Sequence, residues 1–235
     1  MRSQRSPIAT AITYIVVTIS ALIVMAPLIW MMLGSLKTDH ELRQVPPTFL
    51  PESVTFANFT TLFSKLSFST YFVNSTIVAV IVTVANLVFC SMLGYALAML
   101  DFRGKKLVFG LVMATLMIPG VVTFIPLFVL VANLGLLNTL PGLFLPFLAA
   151  PFGVFLMRQF MSSLPRELLD AGRVDGAGEL KIFFRIFLPL AGPAMATLGI
   201  ITFLGSWNNF LWPLVVAQRN DAYTLPVALA LYSSD

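Results

Sequence analysis

The residues best suited to polar chemistry lie in one charged island, Arg158 to Arg185, between long apolar stretches. Inside it runs Asp170-Ala171-Gly172-Arg173-Val174-Asp175-Gly176-Ala177, closing on Ile186-Phe187-Leu188-Pro189. Catalysis would need a nucleophile with its base, or a set of metal ligands, and the island offers neither. Mixed charge of this kind suits docking on a second protein. A neutral group follows downstream: Trp207, Asn208, Asn209, Phe210 and Trp212 combine aromatic faces with amides. Such groups can hold a hydroxylated ligand, and they serve equally for interhelical amide bonds and aromatic packing. The single histidine, His40, stands among Lys37, Asp39 and Glu41 and reads as a solvated residue; no Gly-x-x-x-x-Gly-Lys-Ser/Thr phosphate loop occurs.

The elements that position these groups are membrane helices. The chain is 58% hydrophobic and 10% charged, against about 25% charged residues in soluble domains. Residues 6–36, 66–100, 107–157 and 186–218 carry no Asp, Glu, Lys or Arg. The third stretch has room for two crossings of about 20 residues each, with Asn133 to Thr139 and Pro141 as the turn. Five spans are expected, near 8–33, 71–100, 107–132, 141–157 and 191–217, in one all-α transmembrane domain over 1–235 that contains a cytoplasmic loop at 158–190. A transmembrane barrel would show alternating segments of about ten residues, and none occur.

Placing the N-terminus in the cytoplasm puts ten of the fourteen Lys and Arg residues on that side, from Arg2 and Arg5 through Arg103, Lys105 and Lys106 to the island. The positive-inside rule favours this orientation. The basic balance therefore reflects membrane sidedness, and no nucleic-acid partner is expected. The spans contain no ionisable group to bind a driving ion, so energy for transport must come from a partner. Pro119 and Pro126 are expected to interrupt the third span, and Gly94 with Ala98 to admit a close neighbouring helix. Cys90, alone in its span, reads as a small packing residue.

Within the island the first half reads as a short helix. Ser162 and Ser163 are N-cap candidates, Pro165 suits the first position, and Glu167 suits the first turn. Arg166, Asp170 and Arg173 share a face and can pair; Asp175-Gly176 is a stop. A second helix carries Leu180, Phe183, Phe184 and Phe187 at helical spacing, opposite Lys181 and Arg185. Periodicity alone fits an interfacial hairpin as well as a knob that enters another protein's groove.

These residues resemble the cytoplasmic signature of the permease subunits of bacterial ABC importers: Glu-Ala-Ala, three residues, Gly, nine residues, Ile-x-Leu-Pro. Here Asp170-Ala171-Gly172, Gly176 and Ile186-Phe187-Leu188-Pro189 keep that spacing, and Asp175-Gly176-Ala177 is similar to the turn of the carbohydrate branch. Met117-Ile118-Pro119-Gly120, Leu134 to Thr139, Phe155 to Phe160 and Gly205 to Leu214 resemble the smaller maltose-type subunit, in the right order along the whole chain. Two departures stand out: Asp170 replaces the family's glutamate and Gly172 its second alanine.

The resemblance implies a subunit of an ATP-driven, binding-protein-dependent sugar importer in the bacterial inner membrane. Its partners would be a second homologous permease subunit, a cytoplasmic ATPase dimer that uses ATP and Mg, and an extracytoplasmic sugar-binding protein. This chain itself would bind no cofactor or metal and hydrolyse nothing. The ATPase-coupling residues would be Glu167, Asp170, Ala171, Gly172, Asp175, Gly176, Ala177, Ile186, Leu188 and Pro189; the candidate translocation path is Trp207, Asn208, Asn209, Phe210 and Trp212. The family has six spans, so the sixth is expected to fall beyond Asp235. Two rivals are a noncatalytic scaffold that anchors a cytoplasmic protein, and a secondary transporter, which the charge-free spans disfavour.

Overall fold

The computed structural model describes residues 7–65 and 67–234, so Arg2 and Arg5 of the charge count lie outside them. Every regular element among the described residues is helical. The chain divides into two units, residues 1–67 and 68–235.

In the first unit α1, Pro7–Ser35, is one helix of 29 residues with Pro27 inside it. None of its most apolar window is buried, as befits a helix that meets lipid or another membrane helix on all sides. Two short helices follow, α2 (Asp39–Leu42) and α3 (Ala57–Lys65). A buried ion pair, Lys37 Nζ to Glu41 Oε1 at 3.6 Å, joins α2 to the residues just after α1. Thr48 Oγ1 donates to the same Glu41 oxygen at 2.6 Å and accepts from Lys37 Nζ at 2.9 Å. The Asn58 amide donates to the carbonyls of Ser35 and Lys37. The Thr48 hydrogen bond outweighs burial, and Glu52 N–H and Lys37 add to it, so the Glu41 carboxyl is held below the usual glutamate range. His40 is exposed, as expected.

The second unit is built on α4, Phe68–Met99. After it come α5 (Lys105–Met117), α6 (Gly120–Asn133), α7 (Leu140–Phe144) with a 3-10 turn at Leu145–Phe147, and α8 (Pro151–Met161). The island holds α9 (Glu167–Val174), α10 (Glu179–Ile182), a π turn at Phe183–Phe187 and α11 (Leu188–Leu190). Then α12 (Gly192–Trp207), α13 (Leu211–Val216) and α14 (Leu225–Ser234) complete it.

Among the described residues two helices are long and apolar enough to cross a membrane unaided, Thr10–Ser35 and Phe68–Met99. Three bent pairs raise the number to as many as five: α5 with α6 at 101°, 140–147 with α8 at 41°, and 179–190 with α12 at 79°. Proline explains the first bend. Pro119 lacks an N–H and pushes Ile118 into extended backbone, ψ 118°. Pro126, in contrast to expectation, sits inside α6 without ending it. The segment expected as one helix over 191–217 stops at Trp207 and resumes at Leu211.

Glycine sets how closely α4 and α8 pack. A methyl group on Gly94 would lie 2.7 Å from Met157 Cβ and 2.9 Å from Arg158 N; one on Gly153 would lie 2.8 Å from Cys90 Sγ. The small residues that promised a close approach deliver it, and Cys90 is a buried packing residue. Leu97, Met157, Met161, Leu169, Ile182, Phe187 and Leu198 belong to one core near the Met99 end of α4. A second core, with Val82, Leu143, Trp212 and Val216, lies along the opposite half.

Candidate functional site

The island folds as a hairpin with two different surfaces. Leu169 and Gly172 face inward, while Glu167, Asp170, Ala171, Arg173, Val174, Asp175 and Gly176 are exposed. Val174 is 87% exposed, so an apolar side chain crowns a charged knob. Gly176 has φ 72°, a backbone that side-chain-bearing residues avoid; its N–H bonds Arg173 O and the Ala177 N–H bonds Gly172 O, ending α9. Gly172, which weakens the helix by about 1 kcal/mol relative to alanine, has a packing reason: a Cβ there would press on Ile182 Cγ1 at 3.0 Å.

The start of α9 departs from what its sequence suggests. The hydroxyls of Ser162 and Ser163 bond back to Arg158 O and Phe160 O, in α8, and cap nothing in α9. Arg166 pairs with Asp101 at 3.6 Å and not with Asp170; Lys105 shares the same Asp101 oxygen at 3.5 Å. Arg173 turns to Glu179, with Nη2 2.7 Å and Nε 2.8 Å from Oε1. That bond raises the Arg173 pKa further above its already high range.

The second half of the hairpin is seated in the membrane unit. Ile182, Phe183 and Phe187 are buried, whereas Leu180 and Phe184, expected on the same apolar face, are 63% and 50% exposed. For Phe184 the change comes with a widening of the turn over Phe183–Phe187. Leu188 N–H reaches back five residues to Phe183 O, and Pro189, with no N–H, cannot restore a tighter pattern. The Tyr95 ring of α4 lies 5.3 Å from Phe183 and 5.1 Å from Phe187, and its hydroxyl donates to Glu179 Oε2 at 3.1 Å. Ile186, Leu188 and Ala177 pack against this shared core, and Pro189 is exposed.

The aromatic and amide group is split by the break between α12 and α13. Trp207 stacks on Phe203 at 5.8 Å and meets Phe72 edge-on at 5.5 Å. Asn208 Nδ2 donates to Leu204 O, capping α12 on an exposed side. Trp212 is buried: Nε1 donates to Gly142 O at 3.1 Å, and Phe124 and Phe147 stand edge-on to its ring. Its buried ring also borders the two spaces that Asn209 lines. Gly142 sits where any Cβ would strike Leu136 O, with Val216 of α13 close behind. Asn209 borders both an inner cavity of about 240 Å³ and a wider groove beside α6. Phe210 precedes α13 and is half-buried. Among the described residues no group of three or more His, Cys, Asp or Glu gathers to hold a metal ion.

Residues 90–235 match the family described as the binding-protein-dependent transport system inner membrane component. The chain belongs to that family. It is 42% identical, over 98% of its length and 84% of the relative's, to the arabinooligosaccharides transport system permease protein AraQ of Halalkalibacterium halodurans. Identity is 35%, over 95% of the chain and 74% of the relative, with the diacetylchitobiose uptake system permease protein NgcG of Streptomyces coelicolor. The crystal structure of a bacterial ABC transporter involved in the import of the acidic polysaccharide alginate aligns with a TM-score of 0.85 at 25% identity, covering all of this chain and 82% of that one. This inner membrane component is thus a multi-pass permease subunit of a binding-protein-dependent importer.

In the permease, three residues outside the recognised signature join the hairpin to the membrane helices: Asp101, Tyr95 and Glu179. Spacing could not reveal them, because Tyr95 and Glu179 are 84 residues apart. A tyrosine in an otherwise aliphatic end of a span was the one available sign, since a buried phenol usually finds a partner.

Proposed function

We propose that this permease imports a neutral carbohydrate, with the 158–190 hairpin as the socket for a separate cytoplasmic ATPase. Glu167, Asp170, Asp175 and the Gly176 turn form the docking knob; Gly172, Ile186 and Leu188 hold it against the membrane helices. The observation that carries the reading is the shared core: Leu169 of α9 and Ile182, Phe183 and Phe187 beyond it pack with Tyr95, Met157 and Leu198 of α4, α8 and α12. A hairpin built into that core cannot be displaced without moving the helices. A scaffold that only anchors a partner has no need of such a connection.

The hairpin and the N-terminus lie in the cytoplasm in this reading, and a second permease subunit, two ATPases using ATP and Mg, and an extracytoplasmic sugar-binding protein complete the importer. Support for a carbohydrate comes from relatives named for arabinooligosaccharides and diacetylchitobiose, and from charge-free spans in which neutral hydroxyls and amides border the cavities. Pull-down of the ATPase by the intact permease, tested with Asp170→Lys and Glu167→Lys, checks the socket. Loss of association together with loss of ATP-driven uptake is expected; full association and uptake in both variants contradict it.

A further inference from the structure

Arg158, in the last turn of α8, is half-buried, and its guanidinium has no hydrogen-bond or ion-pair partner among the described residues. Lys105, Arg166, Arg173 and Arg219 each have a carboxylate, and Arg103, Lys106, Lys181 and Arg185 are exposed to solvent. The guanidinium carbon of Arg158 lies over the Phe109 ring of α5, 3.9 Å from its centroid. A ring face attracts the cation but offers no lone pair to its N–H groups. Nε is closed to solvent and unbonded, while the two terminal nitrogens stay accessible. Asp101, a carboxylate of the loop before α5, is already shared by Lys105 and Arg166.

We infer that Arg158 and Lys106 hold the phosphate of an anionic phospholipid of the cytoplasmic leaflet, at the junction of α5 and α8. The inference rests on the reading above that puts the hairpin in the cytoplasm, and adds a lipid to the partners of this subunit.

The surroundings of the two cations select a lipid. Lys106 stands three residues before Phe109, on the same face of α5 and one turn nearer its start. The planar fork of an arginine matches two phosphate oxygens, and an ammonium adds a point charge beside it. Phe109 is four residues into α5, about 6 Å along the axis from Lys105, which is on the order of the headgroup zone on each side of the hydrocarbon. The outer face of α5 is apolar and open there: Leu107 and Leu111 are 68% and 59% exposed, and a methyl on Gly110 would meet open space. An acyl chain leading away from the phosphate would cover that strip. A free anion or a partner's carboxylate would answer the charges and leave the strip bare. Basic sites between membrane helices on the cytoplasmic side take lipid phosphates in this way. Because α8 runs through Ser162 to Arg166 into α9, a lipid held here braces the helix from which the docking knob extends.

The test measures lipid binding by the detergent-purified importer with native mass spectrometry, using dioleoylphosphatidylglycerol, dioleoylphosphatidylcholine and inorganic phosphate as probes. Arg158→Gln is expected to weaken phosphatidylglycerol binding about tenfold, the scale of one charge-assisted hydrogen bond. Lys106→Gln should weaken it several-fold, Arg158→Lys should fall between Arg158→Gln and the unaltered protein, and phosphatidylcholine binding should not change. Lys106 is exposed, so its variant decides should Arg158→Gln fail to assemble. Equal phosphatidylglycerol affinity in the unaltered and altered proteins overturns the inference. Displacement of the lipid by millimolar phosphate also overturns it, by making the site one for a free anion, and so does loss of the partner subunit from Arg158→Gln with lipid affinity unchanged, by assigning the arginine to a protein carboxylate. Orientation is checked apart, with Lys181→Cys and a membrane-impermeant maleimide on right-side-out vesicles, where the buried Cys90 gives no background. Labelling from outside removes the cytoplasmic reading, whereas the affinities alone decide the lipid site.

Discussion

The Tyr95 hydroxyl donates to one oxygen of Glu179 at 3.1 Å while Arg173 holds the other at 2.7 Å, so a single carboxylate joins α9 to α4. Movement of α9 therefore has a polar route into α4 beside the apolar route through Phe183 and Phe187. A carboxylate with partners on two elements holds them in register.

Removing the phenol should uncouple without unfolding. Tyr95→Phe keeps both ring contacts and loses one hydrogen bond to the half-exposed Glu179 carboxylate, worth about 1–2 kcal/mol after solvent screening. Sugar uptake per ATP hydrolysed is expected to fall roughly tenfold, with the ATPase still bound. Glu179→Gln should act in the same direction. Unchanged uptake per ATP in both variants would show that the apolar route suffices.

Gly176 tests backbone strain separately from crowding. Its φ is 72°, and a Cβ there would meet nothing within 4 Å. Gly176→Val thus carries only the cost of the left-handed backbone, about 1–2 kcal/mol or more for a β-branched residue. Uptake and ATPase association should both drop, and Gly176→Asn should recover most of the function because asparagine tolerates that conformation. Equal defects in the two variants would mean that the ATPase needs a bare backbone at the tip of the knob, and that the shape of the turn is not what matters.

Gly94 tests the α4–α8 contact. An added methyl would collide with Met157 Cβ and the backbone nitrogen of Arg158, and overpacking of this kind costs roughly 1–3 kcal/mol. Gly94→Ala should lower the thermal midpoint of the purified protein and its yield from membranes, whereas Gly110→Ala, where a methyl meets open space, should not. Equal melting of the two proteins is the opposing result.

Glu41 tests the ties of the first unit. Its folded pKa is depressed, so the carboxylate stabilises the fold at neutral pH and that contribution disappears as pH falls through the depressed value. Protection of the 48–56 amides, relative to their intrinsic exchange rates, should fall in Glu41→Gln at pH 7, and in the unaltered protein only as pH drops through the lowered carboxylate range. Protection that is the same in both proteins at pH 7 would mean the carboxylate holds nothing there.

Composition was enough to read an all-helical membrane protein, because charge-free stretches of this length have few other stable forms. The α9 turn was legible too, since Asp175-Gly176 encodes its own backbone. What stayed hidden depended on residues far apart in sequence. Arg166 had a local candidate in Asp170 and took Asp101 instead; Ser162 and Ser163 had the composition of caps but bonded back into α8. The bond from the Trp212 indole to Gly142 O spans 70 residues and leaves no local trace. Phe184 turned outward where the π turn shifts the helical register, which a period of 3.6 does not anticipate.

The most direct test is ATP-driven uptake of radiolabelled arabinotriose into proteoliposomes that contain the permease with its partner subunit, the ATPases and the binding protein. Uptake that requires ATP, and that falls with Glu179→Gln while hydrolysis continues, is the predicted result. Accumulation driven by an ion gradient without the ATPase, or ATP-driven uptake indifferent to every substitution in the 158–190 hairpin, would contradict it.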